Sequence, residues 1–471
     1  MIEARRLLPP HWILISLGIG AYAALVASAP SLTSRTALAG TPLLAIVAFW
    51  TLASPHRWIA GFLASALLLP PLPIALGNSG PHPSLLFAAF GILAGALYVR
   101  SWHIAVGRLP LALVCLSCIL LGSVALAAFY SGAEIALQGL ARVLLFGIGV
   151  YLFFYAAYLR LGDRSSGLRP LFWAATASAA IACVDFYYQL PAPAGFGPQF
   201  IWTEAGVYRR AQGIFYEAST LGNLCVFFLV MIAVAFSRRP RPMPVSRPVL
   251  LMGGMLFSAA LIFSYSRASV VNLVVALAAL GWLDRSRIQW RRTLSLLGIS
   301  ITAGAAASYY FLPQLVQSSW QRLYLSAIYL FDYGEAIFSG RFESWRVLLR
   351  FLNEHPWHAV FGIGYKTLPY SDYIGQTVIG DNMYLSMLVE TGVIGLAALL
   401  WLNIAILGAA RRAARHNNPE ASFFGTWMFC FWLGQCVQML AADLLTYWRV
   451  LPVYFLVLAW AVRESSRVPV Q

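Results

Sequence analysis

What this chain can fold into is set by apolar stretches of about 17 to 25 residues, the length that crosses ~30 Å of hydrocarbon as a helix, which return along its whole length. In hydrocarbon a backbone amide or carbonyl finds no water, so each stretch must close its own hydrogen bonds as a helix. The composition agrees, with 60% hydrophobic and 10% charged residues, where a soluble domain carries roughly 25% charged. The expected fold is an all-α polytopic transmembrane helical bundle of about 12 to 14 spans.

Candidate spans fall near 12–29, 36–53, 57–76, 83–99, 109–130, 135–159, 168–189, 214–236, 248–265, 267–284, 293–312, 380–408, 423–442 and 446–463. The third contains Pro70, Pro71 and Pro73, which remove backbone donors and kink a helix. Four regions follow: N-terminal spans (1–189), spans with an arginine-bearing outer edge (190–312), a long outer loop with amphipathic helices (313–379) and C-terminal spans (380–471).

Most of the 32 Lys+Arg residues fall in alternate loops, among them Arg57, Arg100, Arg164, Arg238, Arg285 and Arg411. Cytoplasmic loops carry that excess, so both termini are expected there. The net charge of +15 then records topology, and nucleic acid need not be a partner. The first segment reads as a retained anchor, because its apolar run continues through Ala29 without a tidy cleavage site. The six cysteines all fall inside spans, as small apolar residues of helices.

Cations on the opposite side oppose this rule and call for another reason. Arg209 and Arg210 precede the eighth span, Arg267 breaks two spans, and Arg341, Arg346 and Arg350 lie in the outer loop. Guanidinium matches phosphate oxygens in bidentate geometry and stays charged, so a phosphate-bearing lipid at the outer surface, a lipid pyrophosphate above all, fits this basin. Gly213 would let backbone approach such a ligand. Glu134, Gln138 and Arg142 step by four and share one helix face; Arg142 either extends the basin inward or pairs with Glu134 or Asp185.

In the outer loop, Phe342, Trp345, Leu348, Leu349 and Leu352 form a helical stripe that Arg341, Arg346 and Arg350 avoid, the pattern of a helix lying on the bilayer surface. His355 and His358 have the residue type of metal ligands, but Pro356 interrupts them and no further ligand set accompanies them; neither metal nor cofactor is expected. Asp381, before the twelfth span, is either a helix N-cap or a general base for an acceptor hydroxyl. On a regular helix Glu390 lies half a turn away from Asp381, which makes it a buried structural partner rather than part of the same site.

In order, R-x-x-G-x-F (Arg210, Gly213, Phe215), Ser266-Arg267 after an apolar run, GR-x-x-x-W (Gly340, Arg341, Trp345), HP and GIG (His355, Pro356, Gly362, Gly364), and DN-x-YL-x-x-L-x-E-x-G-x-x-G from Asp381 to Gly395 resemble the O-antigen ligase and polymerase superfamily. The first seven spans share only hydrophobicity with it. The resemblance implies a multi-pass glycosyltransferase of the bacterial inner membrane, working at the periplasmic face without metal on an undecaprenyl-pyrophosphate-linked glycan donor. It implies that Arg210 and Arg267 bind the pyrophosphate, with Arg142 as a candidate addition, and makes Arg341, Arg346 and Tyr384 candidate substrate contacts.

Ligases of that family carry HN-x-YL where this chain has Asp381-Asn382, and the histidine is their proposed base. The exchange keeps a proton acceptor but weakens the ligase assignment, in which lipid A core is the acceptor. It favours a polymerase of exopolysaccharide or O-antigen repeat units, whose acceptor is another glycan. Membrane lipids and a chain-length regulator are further candidate partners. A transporter of lipid-linked sugars is the alternative from another class; against it stand the one-sided cations and the lack of an evident inverted repeat. A purely structural subunit would leave Arg267 and Asp381 without a role.

Overall fold

The computed structural model describes residues 10–72, 80–159, 165–191, 197–203, 206–215, 217–237, 245–285 and 341–466. Among them run α1 (Pro10–Ser28), α2 (Leu32–Leu52), α3 (Arg57–Leu68), α4 (Pro83–Leu97), α5 (Arg108–Ser131), α6 (Ala133–Tyr158) and α7 (Ser165–Tyr188). A two-stranded hairpin, β1 (Phe200–Thr203) with β2 (Gly206–Arg209), precedes α8 (Ala218–Ser237), α9 (Arg247–Phe263) and α10 (Arg267–Leu283). Then come α11 (Arg341–Glu354), α12 (Pro356–Phe361), α13 (Met383–Ala414), α14 (Pro419–Gln438) and α15 (Leu451–Ser466). Five helices, α5, α6, α8, α13 and most of α7, are long and apolar enough to cross a membrane. The chain is an all-α polytopic bundle, as its apolar runs require. The expected span 293–312 and the outer segment 313–340, with Gly340, lie outside the described residues.

At the centre stands α8, apolar on all sides and buried on nearly all, as such a helix must be. Its Phe227 packs on Trp427, Phe431 and Tyr454 of α14 and α15. Beside this apolar layer, α8, α10, α14 and α15 share a polar knot. Asn223 and Asn272 each donate to Gln435 and Gln438, at 2.6 to 3.2 Å. Polar groups at that depth must satisfy one another, so the knot fixes how these helices meet.

Where the sequence suggests a third span reaching residue 76, the helix stops at Leu68, directly before Leu69-Pro70-Pro71. Stopping a helix orphans its last carbonyls. Arg449 supplies them: the residue is 2% exposed, its Nε donates to Ala66 O at 2.9 Å and its Nη2 to Leu69 O at 2.7 Å. It also donates to Ile214 O and lies 4.9 Å over the Phe215 ring.

The expected twelfth span is two helical pieces. Gly392 has φ of 70° within α13, and a Cβ there would lie 2.0 Å from Val360 O. Gly364 has φ of 111°, with a Cβ 2.3 Å from Ala127 N. Only glycine combines this backbone with such close approach, and the Gly-rich turn is thereby locked between α5 and α13. The amphipathic stripe of α11 differs from expectation: Leu348, Phe351 and Leu352 bury against Ile363, Leu368 and Val389 of the chain itself, leaving Leu349 exposed. Packing on the protein accounts for Leu348 and Leu352 of that stripe.

Candidate active site

Several of the helix ends described above converge on a cavity of about 580 Å³. Its wall combines the residues leading into α8 and α10, the mid-section of α6, the turn before α13 and the α14–α15 connection. Arg142, Arg210, Arg267 and Arg341, singled out from sequence, all line it, and Asp381 stands at the same wall.

One tight turn anchors Arg210 and leads into Arg267. Tyr265, between α9 and α10, has φ of 50°, a conformation that costs a side-chain-bearing residue roughly 1–3 kcal/mol and clusters at functional sites. The turn presents Ser264 O, which accepts from Arg210 Nε at 2.8 Å, and starts α10 at Arg267. Ser266 Oγ and Ser269 Oγ lie 2.8 Å apart, and Gln438 Nε2 donates to Ser269 Oγ at 3.3 Å, so the first turn of α10 is tied to α14 and the polar knot. Burial, with the like charges of Arg341 and Arg267, pulls the Arg210 guanidinium below its ordinary value, against Tyr447 and Glu217. Titratable groups whose protonation is perturbed by burial and close charges mark this wall as a candidate functional site.

Arg142 reaches the cavity from α6, its Nη2 donating to Tyr370 Oη at 3.5 Å. The alternative pairings fall away. Glu134 is exposed, and Asp185 is taken by Arg209 Nη2 at 3.2 Å and by the amides of Gln212 and Gly213. Gly213 therefore serves the turn between β2 and α8, packed against Ala182, and is not at the cavity. Arg346 is exposed and pairs with Glu343 at 3.4 Å, while Tyr384 donates to Cys436 O at 2.9 Å; neither lines the cavity.

Asp381 is not the cap of α13. Asn382 caps it, its Oδ1 accepting from Tyr384 N and Leu385 N at 3.1 Å each. Asp381 Oδ2 instead accepts from Arg341 Nε at 3.0 Å. Because Asp381 lies outside the helix, the half-turn separation from Glu390 does not apply. Both line the cavity, although Glu390 is buried and accepts from Leu368 N at 3.2 Å, a structural bond.

Sequence reasoning missed Glu217, Lys366 and Asp443. Lys366, the sole lysine of the chain, has φ of 62° and pairs with Asp443. Burial works to lower the Lys366 amine, and the Asp443 carboxylate overrides it, holding the amine charged well above its ordinary value. A buried pair of this kind contributes little net stability but is costly to break. Lys366→Met is expected to destabilise the protein by about 3–5 kcal/mol, and Lys366→Met with Asp443→Asn to regain most of the loss. Thermal unfolding in detergent checks this; a double variant no better than the single one would contradict it.

Among the described residues no cluster of three or more His, Cys, Asp or Glu has metal-site geometry. Residues 249–400 match the family model described as O-antigen ligase. The matched segment contributes Arg267, Arg341, Lys366, Asp381 and Glu390 to the cavity, whereas Arg142, Arg210, Glu217 and Asp443 come from outside it. No curated protein matches the chain.

Proposed function

From the O-antigen ligase domain that residues 249–400 carry, we propose that this multi-pass membrane protein is a metal-independent glycosyltransferase, taking its glycan from undecaprenyl pyrophosphate and most readily polymerising repeat units. The observation that carries the reading is the convergence of Arg210, Arg267, Arg341 and Arg142 on one cavity at one end of the bundle. Breaking the bond between the sugar C1 and the pyrophosphate oxygen leaves charge on the pyrophosphate. Preorganised guanidiniums stabilise that charge as it develops.

The cavity end is reached by the N-termini of α8, α10, α13 and α15 and the C-terminus of α14. The basic loops, by contrast, adjoin the opposite ends of these helices. With those loops cytoplasmic, the cavity opens to the periplasm of the inner membrane, where a flipped lipid-linked glycan presents its head. In this reading Arg210 and Arg267 hold the pyrophosphate, Arg142 supports it from below, and Arg341 with Asp381 receives the glycan at the mouth. The remaining oxygen of Asp381 accepts a hydrogen bond from an acceptor sugar. Arg346 and Tyr384, off the cavity wall, are left to contacts with longer glycan or to support of α11 and α13.

Ligation to lipid A core is the second reading, favoured by the family description itself. Product analysis in a strain lacking the gene, complemented by wild type or variants, separates them. Loss of long chains with persistence of single repeat units is the expected result. Accumulation of lipid-linked polymer that never reaches lipid A would make the protein a ligase, and unchanged glycan would refute both.

A further inference from the structure

Four carboxylates line the cavity: Glu217, Asp381, Glu390 and Asp443. Three are engaged by cations or backbone. Asp381 accepts from Arg341 at 3.0 Å. Asp443 pairs with Lys366 and caps the following turn through Leu445 N at 3.1 Å. Glu390 accepts from Leu368 N at 3.2 Å. Glu217 differs: the partner of its side chain among the described residues is the Ser219 hydroxyl, which donates to Oε2 at 3.0 Å.

Its backbone is nonetheless fixed. Glu217 O accepts from Thr220 N at 3.1 Å and Leu221 N at 3.4 Å, so its main chain is fixed at the start of α8. Arg142 from α6, Lys366 from the glycine-rich turn, Asp443 and Tyr447 from the α14–α15 connection, and Arg210 beyond the hairpin are the charged or titratable groups that act on it. Glu217 thus brings to the cavity wall a carboxylate whose side-chain hydrogen bond comes from a hydroxyl and not from a cation or a backbone amide.

We infer that Glu217 is a further catalytic residue, the general base that takes the proton from the acceptor hydroxyl. The assignment rests on the glycosyltransferase reading above. In the step, the acceptor oxygen forms a bond to the donor sugar C1 while its proton passes to Glu217. The bond from C1 to the pyrophosphate oxygen breaks with its electron pair remaining on the pyrophosphate, where Arg210 and Arg267 hold the charge. Neither an oxidant nor a metal is needed for the balance. Burial raises the Glu217 carboxyl above the ordinary range, with Asp443 adding to the rise and Ser219, Arg142 and Lys366 opposing it. Since the carboxylate is the working form, the rate rises as pH climbs through this raised value.

The test uses the full-length protein in phospholipid vesicles, with a synthetic undecaprenyl-pyrophosphate-linked repeat unit as both donor and acceptor. Wild type, Glu217→Gln, Glu217→Asp and Asp381→Asn are compared for kcat, donor KM and pH profile. Glu217→Gln should lower kcat by about 10²–10⁴-fold, leave donor KM within about threefold and remove the acid limb of the profile; Glu217→Asp should keep part of the rate. Unaltered unfolding temperature of Glu217→Gln guards against a folding defect, and a fall there with no lost acid limb in the residual activity would overturn the assignment. So would Glu217→Gln turning over like wild type, or the acid limb being lost in Asp381→Asn but kept in Glu217→Gln. If wild type itself leaves the donor intact, the glycosyltransferase reading fails first and this inference falls with it.

Discussion

Arg267→Ala lowers glycan transfer by about 10²–10³-fold, the loss expected when one preorganised charge stabiliser is removed from a developing anion. Arg267 opens α10, and the turn before it also accepts Arg210 through Ser264 O at 2.8 Å, so one piece of backbone carries the Arg267 main chain and anchors the Arg210 side chain at the cavity. Arg267→Lys keeps the charge but not the planar fork and should recover only a small part of the activity. Transfer assays on wild type and both variants, at matched amounts of folded protein, check the expectation. Activity within about twofold of wild type in Arg267→Ala would remove this residue from the site.

A second large effect concerns stability rather than chemistry. Arg449→Leu is expected to abolish accumulation of folded protein. Arg449 bonds the carbonyls of Ala66, Leu69 and Ile214. Each buried carbonyl left without a donor costs about 1–3 kcal/mol, and three together rival a typical total stability of about 5–15 kcal/mol. Arg449→Lys should be intermediate, since an ammonium has no flat fork to bridge separated carbonyls. Fluorescence-detected size exclusion of tagged variants reads this directly; a monodisperse Arg449→Leu at wild-type yield would contradict it.

These two arginines mark what was and was not legible in the chain. Arg210, Arg267 and Arg341 stood out because cations on the non-cytoplasmic side work against insertion, and the structure gathers all three. Arg449 belongs to the same side, yet nothing local distinguishes it; its role arises from the prolines after Leu68, 380 residues away in sequence. Asp381 was legible as a residue at the helix mouth, but which of two neighbours caps the helix depended on backbone geometry, and Asn382 took that place. Glu390 is the buried structural residue the sequence suggested, but it shares a cavity wall with Asp381 because Asp381 is not a helical position. Arg346 shares its helix with Arg341, and the burial of Leu348 and Leu352 turns it outward.

In the sequence Glu217 directly precedes one apolar run and Asp443 directly follows another, positions a helix cap also takes. Their meeting with Lys366 is a tertiary fact. One signal did exist: a lone lysine among 32 Lys+Arg residues, at a position where arginine would have served topology equally well.

The most direct test of the account follows the fate of the donor itself. Purified protein in vesicles is given radiolabelled undecaprenyl-pyrophosphate-linked repeat unit, and the lipid products are separated by thin-layer chromatography for wild type and Arg210→Ala/Arg267→Ala. The account predicts free undecaprenyl pyrophosphate released in step with chain growth by wild type, and neither product from the double variant. Donor that stays intact while crossing the bilayer would contradict it and make the protein a carrier of lipid-linked sugar.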